Sequence, residues 1–204
     1  MILISVGQQL SQAKKVQSNL LKIRALIRMK IIAVHCDDRH QFSKPPRLSI
    51  RLLAGHGIEG DAHAGRYIQH RYQARRTPEM PNNRQVHLIQ SELFVELKKL
   101  GFPVGPGDLG ENITTRGLDL IGLPLGTLLH LGNTAVVELT GLRTPCGYID
   151  KFQKGLKRAM IVKTREGIGF RVGVLAVVNS DGDVAAQDTI VVELPVRRIA
   201  LPAL

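Results

Sequence analysis

The chain has 204 residues, 44% of them hydrophobic, enough to bury the core of one domain. No apolar run approaches the roughly 18 residues a membrane-crossing helix needs, the longest being residues 172–178, so a spanning function is excluded. Of the formal net charge of +11, six cations and no acid fall in the first 30 residues, which leaves +5 for the body. That excess suits a small bound anion as well as a nucleic acid, and eight aromatics with no Trp are few for a base-stacking platform. A nucleic-acid partner therefore ranks last. Two cysteines make no disulfide framework, and the basic start lacks the apolar centre of an export signal, which predicts free thiols and a cytoplasmic setting.

Residues 1–28 read as a basic extension, with Val16, Leu20, Ile23 and Ile27 near helical spacing. The folded body is expected over 29–204, beginning with a strand at 31–35 and a second at 48–53. A glycine-punctuated turn follows at 55–61, then a surface loop over 67–81. A short strand at 85–89 precedes a helix over 91–100, with Ser91 as N-cap, Gly101 as stop, and Leu93, Leu97 and Leu100 facing the core. Strands are predicted at 112–115, 127–131, 134–139, 171–178 and 189–194, and a helix at 150–160. Gly132-Asn133 between two alternating runs marks a hairpin. Many short strands with few crossover helices predict a mainly β fold, a closed or partly closed antiparallel barrel with a few peripheral helices.

The stretch Thr140-Gly141-Leu142-Arg143-Thr144-Pro145-Cys146-Gly147 is the most informative. Pro145 fixes its own φ and biases Thr144 toward extended backbone, so the thiol is presented in a loop. Arg143 places a cation nearby, which favours the thiolate that acts as nucleophile or soft-metal ligand. The alternative is a small buried hydrophobe, the usual fate of a free cysteine. Cys36, beside Asp37 and Asp38, reads as structural, because neighbouring carboxylates disfavour its thiolate. Glu111 and Asn112 suit the orientation of a polar ring edge or a proton, with a plain turn as the alternative. His63 suits proton transfer or loop stabilisation. An anionic group would be met by Lys44, Arg47 or the arginines of the 66–76 loop. His56, His63 and His70 are spaced by seven, but the glycines among them oppose a helix and the spacing matches no common zinc site.

Taken in order, Gly57-Ile58-Glu59-Gly60-Asp61-Ala62-His63-Ala64-Gly65, Arg84-Gln85-Val86-His87-Leu88-Ile89, Gly107-Asp108-Leu109-Gly110-Glu111-Asn112-Ile113-Thr114, Leu123-Pro124-Leu125-Gly126-Thr127 and Thr140 to Cys146 resemble the MOSC domain family. The similarity runs from about Met29 to Leu194. It implies a β-barrel of the pyruvate-kinase-insert type that binds a molybdenum cofactor of the molybdopterin type. Cys146 matches the family's cysteine, which ligates molybdenum or carries sulfur as a persulfide. The resemblance further implies catalytic roles for Cys146, Glu111 and His63, and cofactor contacts for Lys44, Asn112, Thr114 and Arg143. Its leading functional implication is a molybdenum-dependent reductase of N-hydroxylated small molecules, with sulfur carriage or transfer as the alternative.

Sulfurases of the family join this domain to one that uses pyridoxal phosphate, for which 204 residues leave no room. Some relatives that reduce N-hydroxylated bases continue into a C-terminal helical region, whereas this sequence ends ten residues after Leu194. A separate partner is therefore expected, either a flavin or iron–sulfur electron donor or a pyridoxal-phosphate desulfurase.

Overall fold

The structure, a computed structural model, describes residues 29–69, 74–164 and 167–204. The predicted helical spacing of the basic extension lies outside these residues, as does His70. In chain order the elements are β1 (Lys30–His35), β2 (Pro46–Arg47), β3 (Ser49–Leu53), β4 (Gly57–Ile58), β5 (Val86–Gln90), α1 (Glu92–Lys99), β6 (Ile113–Arg116), β7 (Leu128–Leu131), β8 (Ala135–Leu142), α2 (Gly147–Phe152), α3 (Leu156–Ala159), β9 (Ile161–Thr164), β10 (Gly167–Phe170), β11 (Val174–Ser180), β12 (Gly182–Ala185) and β13 (Ile190–Glu193).

The fold is mainly β. Eight strands form one sheet in the order β13-β7-β8-β11-β5-β6-β1-β2, and β12-β3-β4 forms a second. The large sheet is not a closed barrel: between the β1 end and the β13 end lies an isolated bridge, Lys30 to Thr189, with backbone bonds from Ile31 N–H to the Asp188 carbonyl at 2.9 Å, Gln187 N–H to the Ile31 carbonyl at 2.8 Å and Ile190 N–H to the Met29 carbonyl at 3.1 Å. It is also mixed. β5 and β6 run parallel, because α1 supplies the crossover that a parallel pair requires.

The period-two pattern that predicts the strands also builds the core. Along β8, Ala135, Val137, Leu139 and Gly141 are buried and alternate with half-buried neighbours. Their face joins Ile31, Leu52, Leu88, Ile113 and Val178 in the larger of two apolar clusters. Strand β5 is buried on both faces: Val86 and Leu88 enter that core, while Ile89 belongs to a second cluster with Leu93, Leu97, Ile149 and Met160. His87 and Leu175 are register partners across β5 and β11, and both line a cavity on the side away from the main core.

Several boundaries differ from expectation for local reasons. Ser91 has helical backbone angles and makes no side-chain cap bond, so α1 begins at Glu92. Phe94 is buried where Leu100, 56% exposed, was expected, since Leu100 follows the last turn. The helix predicted at 150–160 is two short helices, because Gly155 takes a φ of +87° between them. The β9–β10 hairpin was not predicted; its Gly-Ile-Gly-Phe strand carries little β signal.

Candidate functional site

A cavity of about 510 Å³ opens between the β5–β11 face, the loop after β1, and the loop from β8 into α2. Among the residues expected to act, Cys146, His63, Lys44, Asn112 and Arg143 line it. The structure thus brings together positions up to 102 residues apart in the chain.

One wall is a buried polar network centred on Asp61. Lys44 Nζ donates to Asp61 Oδ2 at 2.5 Å, with both side chains almost wholly buried. Asn112 Nδ2 donates to the same oxygen at 2.9 Å, and Asp61 Oδ1 accepts from the His63 backbone N–H at 2.9 Å. Burial by itself would push the Asp61 carboxyl up, but the bonds from His63 and Lys44 and the lysine charge outweigh it and hold the carboxyl well below the usual carboxylate range. Burial draws the Lys44 ammonium down, against the pull of Asp61. His63 Nδ1 sits 3.3 Å from Asp61 Oδ1; a carboxylate only accepts, so this contact favours the proton on Nδ1 and leaves Nε2 as the basic nitrogen. The His63 ring meets His40 edge-on at 5.2 Å.

Asn112 also splices the sheet. Its backbone N–H donates to the His87 carbonyl at 2.8 Å, its Oδ1 accepts from the His87 N–H at 3.1 Å, and its own carbonyl accepts from the His35 N–H at 2.8 Å. His87 Nε2 lies 2.7 Å from the Val172 carbonyl, which can only accept, so Nε2 carries the proton. Burial, with Arg143 nearby, keeps that ring neutral.

Glu111 and Thr114 lie one layer behind the cavity instead of on its surface. Both are fully buried. Glu111 Oε1 accepts from the Gly107 N–H at 2.6 Å and from the Thr114 hydroxyl at 3.0 Å. Gly107 has a φ of +85°, and a Cβ there would strike the Lys44 carbonyl and the His35 ring, so only glycine lets this turn close. Burial pushes the Glu111 carboxyl up, and its Oε2 has no hydrogen-bond partner.

The opposite wall is the loop leaving β8. Thr144 donates to the Leu204 carbonyl through both its N–H, at 3.2 Å, and its hydroxyl, at 2.7 Å. Arg143 Nη1 donates to the Leu109 carbonyl at 2.6 Å. Burial lowers the Arg143 guanidinium's pKa, and Cys146 lies close to it. Cys146 precedes α2 in extended conformation (φ −89°, ψ 170°) and is half-buried, packed on the edge of the second apolar cluster. Cys36, by contrast, is 8% exposed with its Sγ 3.6 Å from the Glu59 carbonyl. Its thiol is pushed up first by burial and next by Asp61, where the sequence pointed to Asp37 and Asp38.

Arg84 was not expected to take part, yet it lines the cavity close enough to Arg143 to influence it. Its sequence signal was its place at the head of the 84–89 motif, just before β5. The other basic candidates lie elsewhere: Arg47 binds the Cys36 carbonyl, and Arg66 is exposed over Tyr67. Arg71 falls outside the described residues. Among the described residues no carboxylate lines the cavity, so with Lys44 neutralised by Asp61 the guanidiniums of Arg84 and Arg143 are the charged groups of its described wall that lack a carboxylate partner there.

A family model described as the MOSC domain matches residues 59–191, which include every one of these cavity groups except those of the loop after β1. The chain belongs to the MOSC domain family. This family is associated with the molybdenum cofactor. Solved structures share the fold: YuaD from Bacillus subtilis, at 24% identity and a TM-score of 0.65, covers 80% of this chain and 94% of its own. YiiM from Geobacillus stearothermophilus follows at 19% identity and 0.60, covering 84% and 79%. YiiM from Escherichia coli has 18% identity and a TM-score of 0.54, covering 84% and 73%. No curated protein matches this MOSC chain in sequence. Among the described residues, no cluster of three or more His, Cys, Asp or Glu is placed to hold a bare metal ion, and no helix is long and apolar enough to cross a membrane.

Proposed function

We propose that this MOSC domain binds a molybdopterin-type cofactor in the 510 Å³ cavity, with Cys146 as the protein ligand to molybdenum, and serves as a reductase of N-hydroxylated small molecules. The observation that carries the reading is the half-buried Cys146 lining one cavity with Arg84 and Arg143, with no carboxylate among the described lining residues. That donor set fits the group: a soft thiolate for a redox metal, and guanidiniums for a phosphate oxyanion. A metal already held by its cofactor needs no three-residue protein cluster. When bound, the cofactor would supply the two-electron redox chemistry.

The chain's own residues then hold and move charge. Arg84 and Arg143 bind the anionic end of the ligand. Asn112 and the Lys44–Asp61 pair fix the far wall. His63, oriented by Asp61, exchanges a proton with the substrate through Nε2. Glu111 and Thr114 act at a distance, by closing the Gly107 turn. Electrons come from a separate flavin or iron–sulfur protein.

The test is elemental analysis of protein made in a host that synthesises the cofactor. Molybdenum is expected in the wild-type chain and in Cys36→Ser, and not in Cys146→Ser. A wild-type chain that stays metal-free after reconstitution overturns the reading. The exposure of Cys146 beside Arg143 favours a second reading, in which its thiolate attacks the outer sulfur of a desulfurase persulfide and releases the donor thiolate. An added sulfur on Cys146 by mass spectrometry, without bound molybdenum, selects it.

A further inference from the structure

Beside the cavity, α2, α3 and β9 follow one another in the chain and carry a dense positive charge. Between residues 147 and 163 there are five cations, Lys151, Lys154, Lys157, Arg158 and Lys163, against one acid, Asp150. The carboxylate of Asp150 accepts from the Lys157 backbone N–H at 2.9 Å. Lys151, Lys154, Arg158 and Lys163 are exposed, and none of the five forms an ion pair among the described residues. Apolar side chains lie among them: Tyr148 is 59% exposed, Phe152 41% and Ile161 40%.

This surface is continuous with the mouth of the cavity. Tyr148 lines the cavity and is exposed at once, and Phe152 packs at 5.6 Å on Phe42, another lining residue. Exposed apolar side chains interspersed with cations that form no ion pair among the described residues are the make-up of a protein contact that must be fast and selective. It suits single-stranded nucleic acid poorly, because Lys151 already covers the Tyr148 ring at 4.9 Å and Phe152 is engaged with Phe42. It suits a lipid surface poorly too, because helices of six and four residues present no long amphipathic face.

We propose that the α2–α3–β9 surface is the docking face for an acidic protein, the donor that delivers to Cys146. This rests on the reading of Cys146 as the working atom of the cavity. Docking there brings the donor's acidic face against the lysines and its reactive centre to the rim at Tyr148, a few residues from the thiol.

The experiment measures association of the full chain with two acidic electron carriers, a flavodoxin and a plant-type ferredoxin, by stopped-flow at low and high salt. The variant is Lys151→Glu/Lys154→Glu/Arg158→Glu/Lys163→Glu, with Arg197→Glu/Arg198→Glu, exposed residues beyond β13, as the charge control. A Lys/Arg→Gln version at the same four positions guards against a folding effect, and circular dichroism confirms that each variant is folded. The wild-type rate is expected to fall with salt, the reversed variant to lose at least about tenfold, the Gln version to lie between, and the control to stay within about twofold.

Binding of neither carrier, or equal loss in the control, overturns the proposal. So does tighter binding of single-stranded RNA or of phosphatidylglycerol vesicles that is lost with the same four charges. Cys146→Ser is expected to dock at the wild-type rate, so a failed docking face and a failed Cys146 reading give separate results.

Discussion

The two walls of the cavity are built on opposite physical terms. On the β1–β6 side the polar groups are tied into a hydrogen-bonded network: Lys44 with Asp61, Asp61 with Asn112 and His63, Glu111 with Gly107 and Thr114. On the β8–α2 side the backbone is pinned, through Thr144 to Leu204 and Arg143 N–H to the Gly173 carbonyl, while Cys146 is half-buried on the cavity wall and Tyr148 is exposed. The cysteines show the contrast most plainly. Cys36 lies in the first wall and is closed off, whereas Cys146 lies in the second and meets whatever enters. A reactive group needs access, and a rigid scaffold needs none, so one cavity holds both by assigning them to different walls.

The largest effect that tests this contrast is alkylation of the native protein. Cys36 reacts only after an opening that costs a few kcal/mol, so Cys146 is expected to react at least about a hundredfold faster with iodoacetamide, read by mass spectrometry. Equal rates would break the distinction between the walls.

Next comes the buried pair. Lys44→Met strands the Asp61 carboxylate and is expected to lower unfolding stability by about 3–5 kcal/mol in urea. Lys44→Met/Asp61→Asn is expected to recover a good part of this, because the unpaired charge is gone. A single variant that costs nothing would mean the pair is solvated.

The pH dependence should be somewhat smaller. Burial lowers the His35 pKa from 6.5 to about 4, so the unfolded chain binds its proton first as pH falls. Stability is therefore full above pH 6.5 and is lost between about 6.5 and 4, on the order of 3 kcal/mol. His87 acts in the same direction, and Glu111, pushed up, acts against it. Asp61 adds a further loss at lower pH, below its unfolded value of 3.8. His35→Gln is expected to flatten the slope of urea midpoint against pH in that window, and an unchanged slope would place its origin elsewhere.

The smallest effect concerns the pinned backbone. Thr144→Val removes the hydroxyl bond to Leu204 and is expected to cost about 1 kcal/mol of stability. If the loop positions the thiol, Cys146 alkylation in this variant also changes, while Cys36 stays protected.

Much of the fold was legible because strand and turn signals are local. The alternating run of β8, the Gly-Asn turn before it and the apolar stripe of α1 each announce themselves within a dozen residues. Departures arose where a tertiary partner replaced the local signal. Ser91 stands at the cap position but makes no cap bond, Gly155 divides one predicted helix in two, and the parallel pairing of β5 with β6 depends on where α1 packs. At the site, Cys146 was legible from Pro145 and Gly147 around it, Asn112, His63 and Arg143 from the motifs that carry the family resemblance, and Lys44 as a basic candidate for an anionic group. Arg84 was not, since a single arginine before a strand has no local mark of what it faces. Glu111 looked like a lining residue, yet its carboxylate turns to the Gly107 N–H and away from the cavity surface.

Sequence by itself determined the longer strands of the large sheet, the family and a cysteine set in a loop, because backbone preference and period-two burial act over a few residues. The tertiary structure alone decided which charges are cancelled. Lys44 is neutralised by Asp61, 17 positions away, while Arg84 and Arg143, 59 positions apart, share a cavity with no carboxylate among its described lining residues. Electrostatic energy depends on distance and dielectric in three dimensions, and neither is fixed until the chain has folded.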